Sequence, residues 1–501
     1  MAYSCRLRVL VISALAAMAI ALGACATPQP APPVTPFTLP ATFSTPQSGA
    51  HAPGERWWRD FGDPELDQIV DVALERNPAI AQAVARTSIA EAQVRLTRAG
   101  QLPQAGVRAA AARQRQNVTG FPILSPEGGG DSGVIRTTRY DVALEVSWEL
   151  DLWGRLSALS ASARSDYLAR TENLRAVRQA VAARVVQMYL AIVHAHAQVE
   201  LSARTVNTLA EMARQIDNRV SSGIAPPADG RLANANLESA RAGLAQRREA
   251  LARSLRQLEA LMGDYPSGRL ETALILPGVP DAPSAGVPAD LLARRPDVLA
   301  GELTLLSAGY RLTAAERSFL PAISISGNAA YGGTSLADLF SGSNLLWSIA
   351  GVIVQPIFLG GRLVAQVDMA KGQADEALHS YVETALNALT EVETVLAVDQ
   401  LLKDRELALD ASASAAEEAT RISYNRYMQD IDPFLNVLTS QQRALDGRSA
   451  QIAARYARLE NRVALYLALG GGFEGATLSS ASTGASAAAP SPSSNSRESQ
   501  R

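Results

Sequence analysis

Cysteine is nearly absent from this 501-residue chain: Cys5 and Cys25 are its two thiols, both near the N-terminus, so no disulfide can staple the rest. Histidine is almost as scarce, with His51, His194, His196 and His379 as the full set. The one close pair, His194 and His196, lies two residues apart in a helix-forming stretch, where the side chains point in different directions. That spacing does not suit a metal, and neither a phosphate loop nor a nucleophile motif is present. The expectation is a chain that is no enzyme and carries no metal and no catalytic cofactor. Positive charge is not in excess either: 46 basic and 49 acidic residues give a net charge of −3, which argues against nucleic acid as a partner. Glycine and proline vanish from the 68 residues between Arg155 and Ser222, which are rich in Ala, Leu, Arg and Gln. That is the composition of one unbroken helix. At 1.5 Å per residue it would be a rod of about 100 Å, far longer than a compact domain needs.

The N-terminus has the layout of a secretory signal. Arg6 and Arg8 precede a largely apolar run from Val9 to Leu22, too short at 14 residues to span a bilayer, which ends at the small residues Gly23 and Ala24. The sequence LGAC resembles the bacterial lipobox, which implies cleavage before Cys25 and a lipid on its thiol. Ala26 follows, where a residue other than Asp implies sorting to the outer membrane. Loss of residues 1–24 removes two arginines and no acid, taking the charge from −3 to −5. Residues 25–53 hold eight prolines and read as an extended tether. Residues 474–501 are mostly Ser, Ala and Thr, too poor in apolar groups to pack, and are expected to be disordered.

Between these ends the chain repeats itself. LERNPAI at 74–80 and LARRPDV at 292–298 match at Leu74/Leu292, Arg76/Arg294 and Pro78/Pro296, an offset of 218. A Leu-Pro pair follows each at the same distance, Leu102-Pro103 and Leu320-Pro321. The offset then falls to 207 and stays there, pairing Gly154 with Gly361, Arg155 with Arg362, Arg219 with Arg426, Ile224 with Ile431, Pro226 with Pro433 and Gly263 with Gly470. Two copies of one unit are expected, at 54–263 and 291–473, joined by a linker at 264–290. Each unit reads helix, Leu-Pro, strand, loop, strand, Gly-Arg, very long helix, turn, shorter helix.

The strands are expected at about 104–115, 139–150, 322–333 and 346–358, with loops near 116–138 and 333–345. In RYDVALEVSWELDLWGR, Tyr140, Val142, Leu144, Val146, Trp148 and Leu150 alternate with Asp141, Ala143, Glu145, Ser147 and Glu149. One face is apolar and the other polar with acids, which suits a membrane β-strand beside a wet lumen and equally a half-buried strand of a soluble sheet; the lipobox and the lack of a parallel βαβ pattern to cover a sheet favour the membrane. Four strands cannot close a barrel, and open edges are not tolerated in lipid. Small barrels need at least about eight strands, so if these strands lie in the membrane several chains must pool theirs, giving about 8, 12 or 16 strands for two, three or four subunits. In residues 378–396, Leu378, Tyr381, Ala385, Ala388, Val392 and Val395 recur at steps of three and four, a helix-packing seam.

Several motifs in order resemble the TolC-like outer-membrane efflux proteins, in particular the lipidated members that serve resistance-nodulation-division (RND) pumps, often labelled NodT. They are LGAC, WWRDFGDPELD at 57–67, ALERNP at 73–78, ELDLWGR at 149–155, RRPDV at 294–298, LPAISISG at 320–327 and QPIFLGGR at 355–362. The resemblance covers nearly all of residues 22–470. It implies an α+β membrane protein: a homotrimer whose chains each lend four strands to a twelve-stranded outer-membrane barrel, continued by a long periplasmic helical barrel. Gly154 and Gly361 would be the joints where strand becomes helix. The function implied is a passive duct for drugs or other small molecules, with a periplasmic membrane-fusion adaptor and an inner-membrane RND transporter as partners and outer-membrane lipid around it. A channel for type I protein secretion is the alternative on the same fold. By the same resemblance, adaptor contact and pore closure fall at the turns RVSSGIAPPADGR (219–231) and RYMQDIDPFLN (426–436). Adaptor contact is then expected at Gly223, Ile224 and Ile431, and a gate at Asp229, Arg426, Tyr427, Asp430, Asp432 and Asn436. The second turn departs from the family pattern, with Asp430 where its repeat mate is Gly223.

Overall fold

Proline starts the helices that brace each repeat, as Pro64, Pro78, Pro288 and Pro296. The computed structural model describes residues 38–45, 54–119, 132–337 and 339–471; the signal, Cys25, most of the tether, residues 120–131 and the Ser/Ala-rich tail lie outside the described residues. A short 3-10 turn, Trp57–Phe61, leads into α1 (Pro64–Arg76), α2 (Pro78–Ala99), β1 (Gln104–Thr119), β2 (Ser132–Leu150), α3 (Arg155–Ser221) and α4 (Pro227–Met262). The second copy runs α5 (Pro288–Arg294), α6 (Pro296–Arg317), β3 (Ala322–Gly333), β4 (Leu345–Val354), α7 (Arg362–Met428) and α8 (Phe434–Ala468). Both long helices have 67 residues, and they begin and end at repeat-equivalent positions.

The family motifs turn out to be structural fastenings. In WWRDFGDPELD, Trp57 and Trp58 are buried, and Asp63 caps α1 by accepting from the backbone N–H groups of Glu65 (3.0 Å) and Leu66 (3.3 Å). Its other oxygen accepts from the Tyr189 hydroxyl (2.5 Å), and Asp60 accepts from that of Tyr466 (2.6 Å), whose ring stacks on Trp57. Burial and these carboxylates push both phenols well above the ordinary tyrosine range. Asn77 and Arg295 occupy equivalent places, each the cap residue before α2 or α6. Asn77 donates to the Leu261 carbonyl (2.6 Å) and Arg295 to the Ala468 carbonyl (3.0 Å), and those two acceptors are themselves repeat mates. The same junction is closed twice with different chemistry. Arg295 is 7% exposed and is compensated by Asp297 and Glu391, both at 2.7 Å.

The main core forms where the most apolar part of α3, from Val181 to Val193, meets α1, α4 and α8 through Leu66, Val70, Leu258, Leu459 and Val463. A second cluster, with Leu209, Ile216, Tyr427 and Phe434, lies near the far end of the long helices. The seam on α7 is packing, as expected: Tyr381, Ala385, Ala388 and Val392 are buried, Leu378 and Val395 half-buried.

The four strands form one antiparallel sheet in the order β1-β2-β3-β4. Three of the four strands differ in extent from the sequence reading. The first hairpin is longer, to Thr119 and from Ser132, because backbone pairing carries the polar run past the end of the apolar alternation. The fourth strand is shorter, Leu345–Val354, because Pro356 lacks the N–H a ladder needs.

Candidate functional site

Register decides which side chains share a face. Leu144 pairs with Val107 on β1 and Ala329 on β3, and Ala329 pairs with Trp347 on β4. The face through that row also carries Tyr140, Val142, Val146, Trp148, Tyr331, Ile349 and Ile353, and no charge from Ala105 to Ala111 on β1 or from Tyr140 to Leu150 on β2. The opposite face carries Asp141, Glu145, Glu149, Asn328 and Ser348, with Arg108 donating to Glu145 at 2.9 Å. Eleven residues of β2 with one uninterrupted apolar face match the thickness of a hydrocarbon core for a tilted strand. Trp148, near the lower end, donates its indole N–H to the Gln101 carbonyl at 2.9 Å, and Tyr140 and Tyr331 sit near the upper end. Rings at both edges of an apolar band are the arrangement of an outer-membrane barrel. All of β4 is exposed, and β1 and β4 each leave one edge unpaired.

The joints below the sheet are where the motif ELDLWGR acts. Gly154 and Gly361 both take left-handed φ, 74° and 82°, as N-caps of α3 and α7, a conformation a larger residue would adopt only under strain. Asp151 accepts from the N–H groups of Leu156 (2.9 Å) and Ser157 (2.7 Å), closing the start of α3. Glu149 pairs with Arg155 at 2.7 Å, and Arg317 donates to the Gly154 carbonyl at 2.8 Å. The second joint has Phe358 where the first has Asp151, and Phe358 and Ile357 are 85% and 94% exposed.

At the other end of the helices the two turns have one backbone shape. Gly223 has φ 74°, and Asp430 has φ 58°, the one non-glycine residue with positive φ among those described. Ile224 N–H donates to the Arg219 carbonyl (2.8 Å) and Ile431 N–H to that of Arg426 (3.0 Å), so each long helix ends in the same reversal. Asp is one of the few residues that accept this conformation at modest cost. Ile224 and Ile431 are both more than half exposed, as two apolar groups projecting from the turns.

The side chains of the two turns interlock. Tyr427 donates its hydroxyl to Asp229 at 3.1 Å, and its ring packs on Phe434. Burial, then the Asp229 carboxylate, raises the Tyr427 phenol to about 12. Arg219 pairs with Asp430, donates to the Met428 carbonyl (3.3 Å) and lies 5.6 Å from the centre of the Tyr427 ring. Arg426 pairs with Asp432 at 2.7 Å within its own turn, which raises the arginine and lowers the acid. Asn436 is exposed and makes no side-chain hydrogen bond to the others among the described residues. Of the expected gate residues, Asp229, Tyr427 and Asp430 thus tie the two repeats together, with Arg219 as their centre; Arg426 and Asp432 form a separate local pair, and Asn436 stands apart. Arg219 is absent from the sequence-based set, although its repeat mate is Arg426, which is in it.

Comparison with known proteins agrees with this geometry. The profile of the family described as outer membrane efflux protein matches residues 69–264 and 287–471. Among curated relatives, outer membrane protein OprJ of Pseudomonas aeruginosa is 31% identical over 469 residues, covering 91% of this chain and 95% of OprJ. The toluene efflux pump outer membrane protein TtgF of Pseudomonas putida is 30% identical over 456 residues, covering 89% and 92%. Among solved structures, the open-state MtrE outer membrane channel of Neisseria gonorrhoeae superposes with TM-score 0.77 at 28% identity, covering 89% of this chain and 98% of MtrE.

Proposed function

The chain belongs to the outer membrane efflux protein family, and from that premise we propose that three copies form a passive duct serving an RND pump and its periplasmic adaptor. The observation that carries this is the union, in one chain, of a four-stranded sheet with an uncharged outer band and two 67-residue helices hung from its lower edge. A sheet with two open edges needs partners in lipid, and the open edge of β1 can pair with β4 of the next copy until the ring closes. Three copies give twelve strands above a helical tube of about 100 Å, enough to cross a wide aqueous space. The exposed Ile224 and Ile431 on paired turns offer the adaptor two apolar points of contact per chain. The ties among Asp229, Tyr427, Arg219 and Asp430 hold the two turns together and act as the gate.

Deleting the gene is expected to sensitise the cell to a subset of small toxic compounds across a panel, with the parent gene restoring resistance. Unchanged sensitivity together with loss of one secreted protein would instead support a type I secretion channel and sink the efflux reading. Neighbouring genes for a proton-driven pump and an adaptor would accompany the first outcome.

The lipid anchor is part of the same proposal. Cys25 closes LGAC and is the mature chain's single thiol, so Cys25→Ser is expected to abolish incorporation of labelled fatty acid. Unchanged labelling would remove the chain from the lipidated group. Assembly is expected to survive the change, because the strands hold the protein in the membrane independently.

A further inference from the structure

We propose that Arg113, Arg115 and Arg136 form a docking site for the phosphate groups of anionic lipid headgroups in the outer leaflet. This deepens the membrane reading of the sheet and rests on it. Side chains two apart on a strand share a face, so Arg113 and Arg115 lie on the same side as Ala105, Val107, Ala109 and Ala111, the apolar side. Arg115 pairs directly with Arg136, and Arg113 with Thr138. Arg136 is therefore opposite one arginine and diagonal to the other, within reach of a shared anion. All three are exposed, and none has an ion-pair partner among the described residues.

The inward arginines of the same hairpin behave differently. Arg108 is paired with Glu145 and Arg139 with Asp141. The fold thus neutralises its inward cations and, among the described residues, gives the three outward ones no acidic partner, two of them directly opposed, which costs stability unless an anion sits between them. Their height supplies the anion. The apolar row ends at Tyr140, and Arg136 lies four residues further up the strand, about 10 Å along a tilted strand, where headgroups begin. Guanidinium groups match phosphate oxygens in geometry as well as charge. A neighbouring copy pairing on the β1 edge would meet backbone groups in the plane of the sheet, leaving these side chains free on the outer face.

The test uses the full-length protein, delipidated in detergent and titrated with bis-phosphorylated lipid A, with bound lipid counted by native mass spectrometry. The Arg113→Gln/Arg115→Gln/Arg136→Gln protein is expected to bind it about tenfold or more weakly than the parent, and the parent to bind fully dephosphorylated lipid A as weakly as that variant binds the phosphorylated form. Raising salt from about 0.05 M to about 0.5 M is expected to weaken the parent's binding, and the triple Arg→Lys variant to keep the salt-sensitive binding. Equal binding by parent and Gln variant, or equal binding with and without phosphates, overturns the site. Inorganic phosphate displacing the lipid at equal concentration would assign the cluster to the free ion and overturn the lipid assignment. Should the Gln variant fail to assemble, salt-insensitive binding by the parent and the Lys variant overturns it. Channel conductance in neutral-lipid bilayers is expected to be the same for parent and Gln variant. A parent that does not insert at all would sink the membrane reading along with the site, whereas a conducting parent without phosphate preference sinks the site alone.

Discussion

A Leu144→Arg chain is expected to lose about 2–4 kcal/mol of folding stability in lipid vesicles, while Glu145→Arg loses about 1 kcal/mol or less and changes the ion preference of the channel. The two residues are sequence neighbours on one strand, so their difference isolates the face. Leu144 sits mid-row between Val107 and Ala329, with nothing charged beside it, and is 46% exposed on the side assigned to lipid. An arginine there must bury its guanidinium at the midplane or drag water and headgroups inward. Glu145 points the other way, with Arg108 at 2.9 Å and both side chains about half exposed. Losing that pair costs at most about 1 kcal/mol in so wet a place, and the new like charge adds a few tenths. Urea unfolding followed by tryptophan fluorescence reads the first effect; the reversal potential across a salt gradient reads the second, shifting toward anions. If both substitutions destabilise equally, the alternation does not separate lipid from lumen.

That alternation explains why so much of the membrane half is legible in the sequence. A face that meets hydrocarbon must be apolar at every second residue, and it leaves a pattern. The 67-residue helices are legible for a similar reason, since glycine and proline are excluded over their whole length. Where two equally good solutions exist the pattern fails. Residues 113–117, RQRQN, carry polar groups on both faces, and only their ladder with 134–138 makes them strand. Arg295 and Asn77 look unrelated in sequence yet close the same junction, because any buried donor that reaches the carbonyl will serve. At the turns, Asp430 reads as a break from the glycine of its repeat mate. The structure places it in the same left-handed conformation, which Asp tolerates. Arg219 escapes the sequence reading because its partner Asp430 is 211 residues away. The repeat offset was the available signal: it aligns Arg219 with Arg426, and of the two only Arg219 reaches across to the other repeat.

The proposed gate yields the largest expected effect, because threefold symmetry multiplies it. The turns in each chain are joined by the Tyr427 hydroxyl to Asp229 at 3.1 Å and by Arg219, which pairs with Asp430 and donates to the Met428 carbonyl at 3.3 Å. Asp430 is 68% exposed at its side chain, so its ion pair contributes little alone; the half-buried phenol bond contributes about 1 kcal/mol. If the turns separate on opening, about 1–2 kcal/mol per chain over three chains makes about 3–6 kcal/mol, a shift of roughly two to four orders of magnitude between closed and open. Tyr427→Phe combined with Arg219→Gln is therefore expected to turn a mostly closed channel in planar bilayers into a mostly open one. Arg426→Ala and Asp432→Ala, which break only a pair local to one turn, should stay near the parent, and Asp430→Ala should fall between. The phenol tie has a pH signature. Its proton is held to about pH 12 in the closed arrangement and more weakly when the turns part, so the closed state is favoured fully below about pH 10 and loses that preference as pH rises to about 12. Parent conductance should be flat from neutral pH to about 9 and climb above about 10, and Tyr427→Phe should remove the climb. Equal conductance for the parent, the Tyr427→Phe/Arg219→Gln double variant and Asp430→Ala would place the gate elsewhere in the helical tube.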